Sequence, residues 1–474
     1  MERNNGRGVN AVERPFYFIV SFWGEEFRNH FLRLCAPSLL APRNIPALSG
    51  ARRCRLLICT TAEDWKAVQA DPTFELLRTF AVPEFLELRH PVPDFLRRPY
   101  QEQFRRAAGR HEKERAVRIP DSVSPNDVVS PAAFAALQAI GREIGVTLTA
   151  RQAYALRLFF MSAGHKAAAI RAHADGAYAV YLAPDMVLSD GAVSELDRLA
   201  RQGSKVVLAA ACRFVQEECL AAFRSRGMLE PGKPLCLPPR LLVEIAFAHL
   251  HPETAGFEFD APAFCTTATS ALWRVPGDGG ALIHSFFWAP LLVSYGDVRT
   301  HHADCFDHGG TTDGKYIAMH FDPDRDLTAI ADSDRLMMAS FTRAEDYAYP
   351  DTHRMLKGLP GLGTAYKIHR IRRMLHGPMG DPVKRRLYAV PIRFHSQPVS
   401  LAWEAVEQRA EAIVSRALKQ PGRLAAAWIR TSWFFSEQSL RSFGWFVATY
   451  PVSKLSPHRR DQLRRLIGKI RPAA

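Results

Sequence analysis

Apolar and polar positions follow two rhythms along this chain. Residues 16–22, FYFIVSF, are apolar apart from Ser21, the pattern of a strand buried on both faces. From Glu25 to Leu40 the spacing becomes helical, with Phe27, Phe31 and Leu34 on or near one face. Glu25 and Glu26 suit the first turn of that helix, and Pro37 predicts a kink or stop near its end. Residues 55–59, RLLIC, predict a second strand. It ends in Thr60-Thr61 and a polar turn through Asp64 that opens another helix. Residues 149–174 are rich in Ala, Leu, Arg and Met and predict a long helix, closed by Asp175-Gly176. A strand over 177–182 follows, then a helix over 194–202 ending at Gly203, then a strand over 205–214, KVVLAAACRF.

Strand and helix patterns thus alternate over the first 215 residues. The fold class this predicts is α/β, a Rossmann-like, mostly parallel sheet flanked by helices. Residues 91–130 are polar and rich in Arg and Pro, and read as surface. Residues 240–345 are mixed, with a helix over 240–250 and apolar stretches over 268–275, 281–295 and 327–331. The last of these runs into Asp332-Ser333-Asp334, which predicts a helix N-cap before RLMMASF. After about residue 355 the chain becomes helical, basic and aromatic. The organisation predicted is a disordered N-terminus over 1–14, a working domain over 15–350 and a basic, aromatic-rich helical region over 355–474.

Charge sharpens that division. The net charge is +14, but residues 354–474 alone hold 23 basic and 6 acidic residues, a balance of +17. The rest holds 39 basic and 42 acidic residues, a balance of −3. The basic excess belongs to the last quarter, an appendage on a near-neutral body. The eight cysteines form no CxxC pair and mostly lie in apolar runs, so reduced buried thiols are expected rather than zinc or a disulfide framework. The N-terminal MERNNGRGVNAVERPF has no apolar signal core, and no run of 18 apolar residues occurs. The expected location is cytoplasmic, with peripheral contact on the inner face of the membrane as an option for the tail.

In open parallel α/β sheets, ligands bind at the carboxyl ends of the strands. Three predicted strands end in polar groups: Trp23-Gly24-Glu25-Glu26, Thr60-Thr61 with Asp64, and Asp185 with Ser189-Asp190. Each has a plain alternative. The two glutamates suit a solvated helical turn, the threonines a helix cap, and Asp190-Gly191 a turn. Asp185 is the most informative, because it follows an interior strand, and a carboxylate there can hold a divalent cation that neutralises a diphosphate leaving group.

The succession KAAAIRAHADGAYAVYLAPDMVLSDGAV, residues 166–193, resembles glycosyltransferases of the GT-A type, family 2-like. In that family a helix and a small-residue turn lead into an apolar strand that ends in Asp-x-Asp. FYFIVSFWGEE resembles the family's first strand and nucleotide loop, and RLLICTTAED its second strand and nucleobase contact. The resemblance spans roughly residues 15–330 and implies a nucleotide-sugar donor and a divalent metal, Mn or Mg, at the Asp-x-Asp site. It maps donor contacts onto Trp23, Glu25, Thr60, Thr61, Asp64 and Ser189. Ala183 stands where the motif's first Asp falls, so only Asp185 maps onto the metal-contacting carboxylate. The resemblance also implies a late metal ligand, open among His301, His302, Asp304 and His308.

Sugar transfer with inversion needs a general base near the acceptor hydroxyl. Asp260, Asp278, Asp304 and Asp307 are candidates, with Asp304 first and Asp307 beside it. Residues 422–450 carry three tryptophans and four phenylalanines among arginines, and Arg459 to Arg471 continue the basic character. Aromatic rings beside cations suit a membrane surface, reached through residues 422–471 by an enzyme with a glycan or lipid-linked acceptor. A helical subdomain packing its aromatics inward is the plain alternative. The expected role is sugar transfer in bacterial-type surface polysaccharide synthesis. Two other classes stay open: a non-catalytic nucleotide or glycan binder with a degenerate Asp-x-Asp site, and a nucleic-acid binder using the tail, which ranks below both.

Overall fold

The structure, a computed structural model, describes residues 14–48, 54–88, 150–265, 267–306, 316–346, 363–377 and 382–422, with the pieces 355–357, 312, 380 and 426. In chain order its strands are β1 Phe16–Ser21, β2 Cys54–Thr60, β3 Val82–Glu87, β4 Tyr178–Leu182, β5 Met186–Leu188, β6 Val206–Ala210, β7 Arg213–Val215 and β8 Ala263–Cys265. They continue with β9 Ser270–Arg274, β10 Ala281–Ser285, β11 Trp288–Ser294, β12 Leu327–Ala329, β13 Met338–Thr342, β14 Met355–Lys357 and β15 Ile392–Phe394.

Seven strands form the main sheet in the order β12-β6-β11-β4-β1-β2-β3. β11 runs against both of its neighbours, while the other pairings are parallel. The apolar runs are continuous because the sheet is buried on both faces. Phe16, Phe18 and Val20 of β1 enter one core cluster, and Tyr17 and Ile19 enter the other. β2 divides likewise, Leu56 and Ile58 to one face and Leu57 and Cys59 to the other. The helix Ala150–Ala174 packs against β1 and β2, and it comes close because position 164 is glycine. A Cβ there would lie 2.3 Å from Ser21 Oγ.

β1, β2 and β3 step outward in one direction, and the chain then returns across β1 to place β4 on the other side. That reversal opens a crevice at the carboxyl ends of β1 and β4. β4 and β6 each hand the chain to a second, smaller sheet, β5-β13-β7, through the short links Ala183–Asp185 and Ala211–Cys212. The predicted strand over 205–214 is therefore two strands in two sheets.

Two other expectations are corrected. The helix over 25–40 is Glu25–His30, then a π turn over Phe31–Cys35, then Ala36–Leu39. Pro37 has no N–H to donate, and the wider turn before it absorbs the missing bond. Asp332-Ser333-Asp334 caps no helix. The Asp334 amide donates to Asp332 Oδ1 at 2.8 Å, an Asx turn, and β13 follows.

In the C-terminal region, β15 pairs with β10 to complete a third sheet, β15-β10-β9. The helices Gly363–His376 and Leu401–Leu418 pack on each other, and Met374, Leu375, Trp403 and Val414 join the core cluster that holds β9 and β10. Among the described residues no helix is long and apolar enough to cross a membrane. Most of the tryptophan-rich stretch over 422–471, and residues 1–13, lie outside the described residues.

Candidate active site

A cavity of about 450 Å³ opens where the main and smaller sheets part. Ser21, Phe22 and Trp23 line it from the end of β1, Tyr181 to Met186 from the end of β4, and Ala211 to Arg213 from the link after β6. The crevice predicted by the topology is therefore present, and Asp185 is in it. The smaller sheet fixes that carboxylate. Ser340 of β13 lies opposite Met186 of β5 and donates its hydroxyl to Asp185 Oδ2 at 2.9 Å. The Phe341 amide donates to the Asp185 carbonyl at 3.0 Å.

Arg213 faces the cavity at the start of β7. Its Nη1 donates to the Asp346 carbonyl at 2.7 Å and reaches Glu253 Oε2 at 3.4 Å. Glu253 is 4% exposed, and its amide donates to His251 Nδ1 at 3.0 Å. Burial, with the Arg213 charge adding to it, pushes His251 down to about 4. The ring is neutral near pH 7, so the proton sits on Nε2, which faces the Arg343 carbonyl at 2.9 Å. Met161 and His165 enter the cavity from one face of the helix Ala150–Ala174. Burial pushes His165 down to about 4, and its Nδ1 lies 3.3 Å from the Thr312 amide. Among the described residues, the cavity's carboxylates are Asp185, Glu253 and Asp346, set against Arg213.

The sequence-derived residues distribute unevenly. Trp23 and Asp185 line the cavity, and Glu25 lines a second groove on the outer side of the same loop. Asp64 holds that loop from beneath, accepting from the Gly24 amide at 2.7 Å, from Arg28 at 2.8 Å and from the Thr61 hydroxyl at 2.9 Å. Gly24 starts the helix with φ of 81°, a conformation glycine adopts freely. Thr61 caps the helix Ala62–Gln69, and Thr60 is fully buried. Ser189 is also fully buried, and its hydroxyl accepts from the Met337 amide at 3.1 Å. Thr60, Thr61, Asp64 and Ser189 line neither opening and instead build its frame.

His301 and His302 line neither opening either. His301 stacks on His173 at 5.0 Å and bonds to the Tyr316 hydroxyl at 2.8 Å, while His302 neighbours His320. Asp304 lies in the short helix Ala303–Phe306, its side chain outside the described residues, as are Asp307 and His308. Asp260 pairs with Arg409, and Asp278 accepts from Gly280, Ser396 and Trp403. Arg213, Glu253, Ser340, Asp346 and His165 went unmarked by the sequence. Only Arg213 carried a hint, as a charge ending the apolar run over 205–212.

A candidate metal triad does exist elsewhere. Asp332, Asp334 and His395 bring ligand atoms within 4.8 Å of one another. His395 Nδ1 bonds to the Gln397 carbonyl at 3.1 Å, and its Nε2 faces Asp332 at 3.0 Å and Asp334 at 3.8 Å. Arg240 pairs with Asp334 at 2.8 Å. The triad is remote from Asp185 in the sense that none of its members lines the cavity. The chain matches no protein-family model, no curated protein and no solved structure.

Proposed function

We propose that the protein is a glycosyltransferase that uses a nucleotide-sugar donor, with the donor's diphosphate bound in the cavity that holds Asp185. The observation that carries this reading is the position of Asp185. It closes the link that follows β4, beside the reversal point of the sheet and in the cavity, with one oxygen held by Ser340. The reading is supported by the strand order and by the resemblance over residues 166–193.

The residues present fit a hard divalent cation delivered with the donor. Such a cation takes one or two carboxylates from the protein and completes its shell with phosphate oxygens and water. Asp185 supplies one carboxylate, and Oδ1 makes no hydrogen bond to the described residues. Among the described residues, three carboxylates face one guanidinium, a balance that favours a diphosphate arriving with a cation. When bound, the metal neutralises the leaving diphosphate. Arg213 assists from the opposite link, and Trp23 and Phe22 offer aromatic surface to the donor. The base that takes the acceptor's proton is drawn from Glu253 and Asp346, which line the cavity, or from Asp304 and Asp307, whose side chains lie outside the described residues. The acceptor proposed is a glycan or lipid-linked sugar in surface polysaccharide synthesis, met at the inner membrane face through residues 422–471. A second reading, nucleotide binding without turnover, draws on Ala183, which lines the cavity where the first motif carboxylate would stand.

The test is a thermal-shift screen of UDP, GDP, CMP and dTDP, with and without manganese, on wild type and Asp185→Asn. At a nucleotide concentration of about 100 Kd, binding stabilises the fold by about 2.7 kcal/mol. A manganese-dependent shift with one nucleotide, absent in the variant, is the expected result. No shift with any of the four overturns the proposal.

A further inference from the structure

The segment after β12 bridges to β15 through a short backbone ladder. The Arg393 amide donates to the Ala331 carbonyl at 2.8 Å, and the Ser333 amide donates back to the Arg393 carbonyl at 2.9 Å. The His395 amide then donates to Ser333 Oγ at 3.2 Å. This ladder sets His395 beside Asp332 and Asp334, the other members of the triad. The His395 ring is fixed as well. It is 2% exposed, and the Trp403 ring packs against it nearly at a right angle, 5.7 Å between centres. Ligand groups held in this way need little ordering when an ion arrives.

The protons at His395 fall one short. Nδ1 faces the Gln397 carbonyl at 3.1 Å, and Nε2 faces Asp332 Oδ1 at 3.0 Å. A carbonyl and an ionised carboxylate only accept. A neutral imidazole carries one proton, so in either tautomer one ring nitrogen presents a lone pair to an oxygen. With the proton on Nδ1, a cation has to stand between Nε2 and the carboxylates, either a second proton or a metal ion. A proton reaches Asp332 alone, because Asp334 Oδ2 lies 3.8 Å from Nε2, beyond hydrogen-bond range. A metal ion reaches all three groups. Two ligand atoms on one tetrahedral zinc lie roughly 3.4 Å apart, and the separations of 3.0 and 3.8 Å fall either side of that.

The charges around the triad suit a dication. Arg240 donates to both oxygens of Asp334, at 3.1 and 2.8 Å, and the Asp334 amide donates to Asp332 Oδ1 at 2.8 Å. A carboxylate oxygen that accepts one hydrogen bond keeps a second lone pair for a metal. Arg393, the other nearby guanidinium, is held by Glu407 at 2.8 Å. Two carboxylates against Arg240 leave one net negative charge to attract the ion. A ring held through Nδ1 by a backbone carbonyl, with Nε2 turned to the ion, is the usual support of a metal-bound histidine. One imidazole with two carboxylates suits a first-row divalent metal, and the exposed side of Asp334 leaves room for water to complete the shell.

We propose that Asp332, Asp334 and His395 form a zinc-binding site that ties β15 to the segment after β12. None of the three lines the cavity, so the site stands apart from the transferase reading. The test is calorimetric titration of zinc chloride, at pH 7, into the full chain freed of metal with EDTA. One equivalent is expected to bind and to raise the melting temperature by mass action. Asp334→Asn changes an exposed residue and leaves Arg240 a carbonyl oxygen, and it should weaken zinc about tenfold or more. Asp185→Asn should leave zinc binding unchanged. Nitrogen NMR of the wild-type histidine rings answers without a variant, should Asp334→Asn fold poorly: zinc should move the Nε2 signal of one ring whose Nδ1 stays protonated. No zinc binding, no such shift, or equal binding in Asp334→Asn overturns the site, and a proton on His395 then completes an ion-pair network. Binding lost in Asp185→Asn and kept in Asp334→Asn places the ion in the cavity and overturns it too.

Discussion

Asp278 was a candidate base by residue type, and its surroundings give it a different task. Its Oδ1 accepts from the Gly280 amide at 2.8 Å, the Ser396 amide at 2.8 Å and the Ser396 hydroxyl at 2.9 Å. Its Oδ2 accepts from Trp403 Nε1 at 3.1 Å, and Trp403 is 1% exposed. Burial would raise this carboxyl, but the bonds from Ser396, Gly280 and Trp403 outweigh it and hold the group below its ordinary value. Asp278→Ala removes four bonds to a charged acceptor and strands the buried indole N–H. Hydrogen bonds to charged groups contribute about 1.5–3 kcal/mol each, and discounting for the half-exposed carboxylate leaves a loss of about 3–5 kcal/mol. The sign with pH follows. A depressed carboxyl contributes stability that is present above its unfolded value of about 3.9 and is lost as pH falls through the folded value. Urea unfolding at pH 7 and across the acid range measures both quantities. A loss below about 1 kcal/mol at pH 7 would refute the staple role. So would a variant of undiminished stability that no longer transfers sugar, since that is the behaviour of a base.

Three further outcomes follow from the geometry. Asp185→Asn should abolish the manganese-dependent nucleotide shift while changing the unliganded melting point little, because among the described residues the side chain is held by one hydrogen bond, from Ser340, a contact worth about 1 kcal/mol. Gln216→Met should leave the unliganded protein as stable or more stable, by up to about 1–3 kcal/mol, because it removes a buried acceptor with no partner; differential scanning calorimetry reads this directly. Gly164→Ala should cost about 1–3 kcal/mol by overpacking, since the new methyl meets Ser21 Oγ at 2.3 Å and Cys59 Cβ at 3.0 Å, and an unchanged urea midpoint would show that the long helix shifts freely.

The main sheet was largely legible in the sequence for a physical reason. Strands buried on both faces must be apolar throughout, so FYFIVSF, RLLIC and AYAVYL announced β1, β2 and β4 without help from distant residues. The cavity position of Asp185 was legible because a charge at the end of such a run is costly to bury unless it is paired, hydrogen-bonded or open to a cleft. The smaller sheet was not. β5, β7 and β13 are three to five residues long, and β13 reaches β5 across some 150 positions of chain. Everything that sheet carries to the cavity was hidden with it, above all Arg213 and Ser340. Glu253 sits in a four-residue helix after a histidine cap, a local pattern common in loops that bind nothing. Thr60, Thr61 and Ser189 had the right residue types at strand ends, but hydroxyls there can turn inward to pair with backbone, as Ser189 does with Met337.

The pairing of β15 with β10 has a consequence for the order of synthesis. A ribosome delivers Ala281–Ser285 roughly a hundred residues before Ile392–Phe394, and domains fold as the chain emerges. During that interval β10 is an open edge, with unmet amides and carbonyls along a strand whose five residues all end up buried. Residues 363–377 and 382–422 are then less an appendage than the closing piece of the body. A chain stopped at residue 350 would keep that edge exposed, and in a crowded cell such an edge recruits whatever strand it meets first.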